Sequence, residues 1–117
     1  LNVRSRWRPQ LEARGGIRAA FASLLDIAVE EVPEVPSERD DLFKHFGLKC
    51  IALPGTQEPG VYHVAVGPSN NGPGMHAVVK YGKDIVHDPA PSGDGLIECF
   101  AIYVLVPIDV ARIKYDE

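Results

Sequence analysis

The sequence predicts an α+β domain in which N-terminal helices pack on an antiparallel β-sheet. Three observations predict it. Apolar residues recur at helical spacing early in the chain, and from Leu48 onward they fall into short runs of strand length bounded by proline and glycine. Helices come first and strands after, which segregates the layers and leaves no place for parallel βαβ units. The 11 glycines and 10 prolines exceed what a helical bundle carries and supply turns for a sheet.

Taken in order, residues 15–27 form the clearest helix, because Ile17, Ala20, Phe21, Leu24 and Leu25 make one apolar stripe. The Gly15-Gly16 pair opens it. Small residues there let another backbone or a ligand approach a helix end that favours anions. Residues 28–36 carry Pro33 and Pro36 among acids and read as an extended loop. Ser37 is the expected N-cap of a short second helix, with Glu38, Asp40 and Asp41 in its first turn, Leu42, Phe43 and Phe46 behind them, and Gly47 as its stop. Strands are expected at 48–53, 61–67, 75–81, 84–87 and 98–106, with loops at 68–74 and 89–95.

A chain of 117 residues fits one domain of about 100–150 residues, with residues 1–9 as a basic arm and 108–117 as a tail. Its longest apolar run, 99–107, falls well short of the roughly 20 residues of a membrane helix. Net charge is −4, which gives no global attraction to phosphate or anionic lipid. Charge is nonetheless segregated: Arg4, Arg6, Arg8, Arg14 and Arg18 crowd the start, and acids crowd 26–41, as solvated surfaces or as contact surfaces. Cys50 and Cys99 have no C-x-x-C neighbours and no secretory segment leads the chain, so no disulfide framework and a cytoplasmic location are expected.

The densest chemical signal is Gly74-Met75-His76-Ala77-Val78-Val79, a turn near Gly82-Lys83, and Ile85-Val86-His87-Asp88-Pro89. Register decides whether His76 and Asp88 can meet. A two-residue loop pairs Tyr81 with Asp84 and turns Asp88 away from His76. A three-residue loop sets Lys80 opposite Asp84 and His76 opposite Asp88 on one face, within hydrogen-bonding reach, which also matches a plus with a minus. An imidazole held by an acid is oriented as a general base must be. The alternative is a half-buried strand histidine, satisfied locally, and a turn aspartate before proline. His63 and His87 read as surface or packing residues. No cofactor or metal is expected, since His76, His87, Asp88 and a distant cysteine share no recognised ligand spacing.

The string Gly15-Gly16-Ile17-Arg18-Ala19-Ala20-Phe21-Ala22-Ser23-Leu24-Leu25, followed by Glu30-Glu31-Val32-Pro33, resembles the opening of small papain-like cysteine peptidase domains. These are related to bacteriocin-processing peptidases, many of them from bacteria and phages. Gly74 to Val79, Val86 to Pro89 and Leu105 to Pro107 are similar to that family's later motifs, so the likeness runs from about Gln10 to Pro107. It implies the papain-like fold, with His76 as base, Asp88 as its orienter and Gln10, six residues before the nucleophile position, in the oxyanion hole. The nucleophile position itself is Gly16, which has no side chain to attack a carbonyl. Ala20 replaces the family's second helix cysteine. Cys50 and Cys99 fall in expected strands, away from the helix terminus that lowers a thiol's pKa, and Ser23 reads as a helix-face residue.

Two functions from different classes follow. The first is a degenerate, non-catalytic domain that binds a peptide or a host protein, as degenerate domains of some peptide exporters hold substrates without cutting them. The second is an active peptidase or hydrolase whose nucleophile is missing or altered in this chain, or one in which His76 activates water directly. Nucleic-acid binding through the arginine arm is disfavoured by the acid excess, the single Trp7 and the absence of a known module.

Overall fold

A computed structural model describes residues 16–68, 74–89, 96 and 98–108. The basic arm, Gln10, the loop after Pro89 and most of the tail lie outside the described residues. Helix α1 spans Gly16–Leu25, a 3-10 turn spans Val29–Glu31, and helix α2 spans Pro36–His45. Five strands follow: β1 Leu48–Pro54, β2 Tyr62–Pro68, β3 Met75–Tyr81, β4 Asp84–His87 and β5 Ala101–Pro107. They form one antiparallel sheet in the order β1-β5-β2-β3-β4. The α+β class and the order of helices before strands are as the sequence predicts. No described helix is long and apolar enough to cross a membrane.

Helix α1 stops two residues sooner than its apolar stripe suggests. Asp26 takes φ 57, and the Ile27 amide donates to the Ala22 carbonyl at 3.1 Å, a capping turn that closes the helix with aspartate in the left-handed position. The loop after it is more ordered than expected. Glu31 accepts the Ala28 amide at 2.9 Å across the 3-10 turn, and Arg18 reaches the same turn. Its Nε donates to the Val32 carbonyl at 2.6 Å and its Nη2 to the Val29 carbonyl at 3.3 Å. Arg18 is therefore a strut from α1 to the turn, not part of a solvated basic surface.

Helix α2 begins at Pro36, not after Ser37. Val35 is the N-cap and makes no side-chain capping bond; proline at the first position supplies the helical φ, and its missing N–H is one that has no intrahelical partner there. Gly47, at φ 72, ends the helix as expected, its amide donating to Lys44.

The central strands read as nearly continuous apolar runs because both faces of the sheet are buried. Val64, Ala77 and Val79 pack with Ala19, Ala20 and Phe21 of α1 in the main core. Alternation turns His63, Ala65, His76 and Val78 to the other face, where they too are buried. Phe21 joins the layers: its ring lies 5.0 Å from that of Phe43 on α2 and 6.2 Å from that of Tyr103 on β5. Burying a phenylalanine of this kind contributes about 2–3 kcal/mol.

Strand β5 starts at Ala101, three residues later than expected, because residues 98–100 cross close to other backbone. A Cβ on Gly67 would lie 1.9 Å from the Glu98 carbonyl oxygen, so only glycine fits where this segment passes β2. Replacing Gly67 by alanine is expected to cost about 3 kcal/mol. Alanine at Gly60, where a Cβ would meet nothing within 4 Å, is expected to leave stability nearly unchanged. Urea unfolding of the two variants beside the parent chain checks both.

Candidate functional site

The β3–β4 hairpin brings His76 and Asp88 together, and not through a three-residue loop. The loop has two residues: Tyr81 pairs with Asp84, and Gly82 takes φ 59, the sign required at the first position of a type II′ turn. On that register alone Asp88 would face away from His76. A bulge restores the meeting. Lys80 pairs with Ile85 but Val79 pairs with His87, so Val86 is an extra residue on β4 and every side chain beyond it changes face. Asp88 thereby shares the face of Val78 and His76.

The resulting contact runs from His76 Nε2 to Asp88 Oδ1 at 2.5 Å, with each side chain only 8% exposed. A carboxylate accepts, so the proton sits on Nε2, and Nδ1 is left as the nitrogen able to take another. The His76 ring is thus fixed in orientation and tautomer, as a general base requires. Pro89 follows, fully buried, and anchors the residue next to Asp88.

Among the described residues His76 hydrogen-bonds Asp88 and no hydroxyl or thiol, although the Cys99 backbone passes Gly67, the ladder partner of His76 on the same face. Gly16, at the nucleophile position of the resemblance, is the first residue of α1 and is buried. Comparison with protein-family models, with curated proteins and with solved structures gave no match for this chain. The site is therefore read from its own chemistry. Cys50 lies on β1, and burial, then the charge of Asp40, pushes its thiol up to about 11, so it is neutral near pH 7. Cys99 lies just before β5, not in a strand, and its thiol donates to the Ala101 carbonyl at 3.4 Å. Both cysteines are free thiols. Ser23 is buried on α1 with its hydroxyl donating to the Ala19 carbonyl at 2.8 Å. Among the described residues no three His, Cys, Asp or Glu side chains are grouped so as to hold a metal ion.

Two side chains carry more than the sequence reading gave them. Arg39 donates through Nη1 to the carbonyls of Glu34 at 2.6 Å and Pro33 at 3.3 Å, and its guanidinium lies 5.9 Å from the centre of the Phe21 ring. It lines a cavity of about 230 Å³ with Phe21, Phe43 and Tyr103. Only the three-dimensional approach of α1, α2 and β5 creates that cavity, so no local motif announces it.

His63 is the second. It is fully buried, so of the two roles open to it, surface or packing, it takes packing. A carbonyl can only accept, so the 2.8 Å contact from Nδ1 to Val61 O puts the proton on Nδ1, and buried Nε2 has no hydrogen-bond partner among the described residues. Burial lowers the pKa; the Val61 bond opposes this, Lys80 across the ladder adds to it and Glu58 opposes it. A group whose folded pKa is depressed favours the neutral folded form, so stability is intact above the unfolded value near 6.5 and falls as pH drops below it. The His63→Leu variant is expected to lose less stability than the parent chain between about pH 7 and pH 5. Urea midpoints across that range give the comparison; parallel pH profiles would refute it.

Proposed function

We propose that this chain is a papain-like cysteine peptidase domain that has lost covalent catalysis and binds a peptide or a partner protein without cutting it. In a gene carried by a phage, that partner is a host protein. One observation carries the reading: the His76–Asp88 pair is assembled and buried, while the first residue of α1 is a glycine, Cys50 lies away on β1 and the Cys99 thiol donates to the Ala101 carbonyl instead of to His76. A base with nothing to activate supplies no acyl-enzyme chemistry. Removing the nucleophile from a unit of this kind costs several orders of magnitude in rate, which leaves direct activation of water by His76 slow. The order of helices and antiparallel strands agrees with the resemblance. Retention of the pair follows from structure as well as ancestry, since each partner satisfies the other's polar atoms in a buried site.

Turnover and thiol chemistry test the reading. The parent chain, incubated with peptide and isopeptide substrates, is expected to release no product, and iodoacetamide is expected to leave Cys50 largely unmodified at pH 7. The Gly16→Cys variant places a thiol at the start of a ten-residue helix, where the dipole favours thiolate. That thiol is expected to alkylate at least about tenfold faster than Cys50. Product from the parent chain would overturn the non-catalytic reading. An inert cysteine at position 16 would remove the assignment of that position as the nucleophile site.

A further inference from the structure

Strand β1 is an edge of the sheet, and among the described residues its one partner is β5. In an antiparallel ladder alternate residues aim N–H and C=O groups away from the partner, so the outer side of β1 can pair with another chain. Edges are commonly blunted by proline, bulges or charge. Here the register with β5 is regular from Leu48 to Pro54, Lys49 is the single charged residue, and proline stands only at the last position.

Two hollows open side by side where this edge passes α2. The larger is the cavity of about 230 Å³ with Phe21, Phe43 and Tyr103 as apolar walls, reached past Ala52. The smaller, about 220 Å³, lies between Asp40 and Lys44 of α2 and Leu48 and Lys49 of β1. Cys50 lines both, and its neutral thiol acts as apolar wall. Cys50 and Ala52 stand two residues apart on one face, so the hollows follow the spacing at which alternate side chains of an added strand descend. Arg39, Lys44 and Lys49 outnumber Asp40 along this seam, on a chain whose net charge is −4. Arg39 has Nε and Nη2 without acceptors among the described residues.

We infer that the outer edge of β1, with the α2 seam beside it, docks an extended acidic segment of a partner protein as an added antiparallel strand. Its apolar side chain enters the larger hollow, and two residues later a carboxylate lies over the smaller one. The direction follows from the sheet: an antiparallel strand passes Ala52 before Leu48, so the apolar residue precedes the acid. The inference rests on the binding half of the proposed function and not on the resemblance. Strands β5 and β2 separate β1 from the His76 hairpin, so docking at this edge and chemistry at that pair can fail independently.

Titration calorimetry of the full chain tests it with two acetylated pentapeptide amides, threonine-leucine-threonine-glutamate-threonine and its counterpart with lysine for glutamate. The glutamate peptide is expected to bind at least about tenfold more tightly. Ala52→Phe, which fills the mouth of the larger hollow, is expected to weaken it by about tenfold, and Lys44→Glu with Lys49→Glu to reverse the preference between the peptides. Ile85→Lys, on the opposite edge strand β4, is expected to change nothing. Thermal melts establish that each variant is folded, and the charge-reversed chain serves should Ala52→Phe not fold. Equal or absent binding of the two peptides would overturn the inference, as would loss of binding in Ile85→Lys alone. Self-association through β1, seen by sedimentation and unaffected by the glutamate peptide, would overturn it in favour of a second copy as the occupant.

Discussion

Phe21 is the contact on which the arrangement of both helices and the sheet depends. Its ring meets Phe43 of α2 and Tyr103 of β5, and the Arg39 guanidinium stands beside it. Helix α2 has Phe43 as its one buried residue, so without that partnership little would hold a polar helix against the sheet. The same three rings wall the larger hollow, which means that core packing and the shape of the seam beside β1 are set by one cluster. The position of α1, and with it the start of the helix at Gly16, follows from the same packing.

At the other end of the sheet a single inserted residue governs the chemistry. Val86 changes the face of everything after it on β4, which is how Asp88 comes to His76. The pair that results has the orientation of a base and its anchor, and it stands on the face of the sheet opposite the one that α1 packs against. A buried imidazole and carboxylate that satisfy one another are also a structural tie between β3 and the residue beyond β4.

Much of this was legible in the residues. The apolar stripe of α1, the Gly47 stop and the strand starts at Leu48, Met75 and Asp84 follow from local periodicity and turn chemistry, whereas the meeting of His76 with Asp88 is one of two readings that the spacing leaves open. The mechanism of that meeting did not follow. A three-residue loop and a bulge each shift the register by one residue, in opposite directions, so either turns Asp88 to the face of His76, and local sequence does not separate them. Ser37 misled because its capping preference is strong, whereas Pro36 before it suits the first helical position better. The later start of β5 was hidden for a different reason: residues 98–100 are held by close passage at Gly67, a contact between segments some thirty residues apart. The burial of His63 and the hollows beside β1 are likewise products of tertiary packing, with no local signal to announce them.

Two ends of one sheet thus differ in character, with an imidazole oriented by a carboxylate on β3 and an edge strand flanked by side-chain hollows at β1. Hydrogen exchange read by mass spectrometry, with and without the glutamate peptide, tests their separation most directly because it reports protection and peptide integrity together. Protection confined to Leu48–Pro54 and Pro36–His45, with the peptide recovered whole, is the predicted result. Protection centred on Met75–Tyr81 and Asp88, with the peptide cleaved, would contradict it.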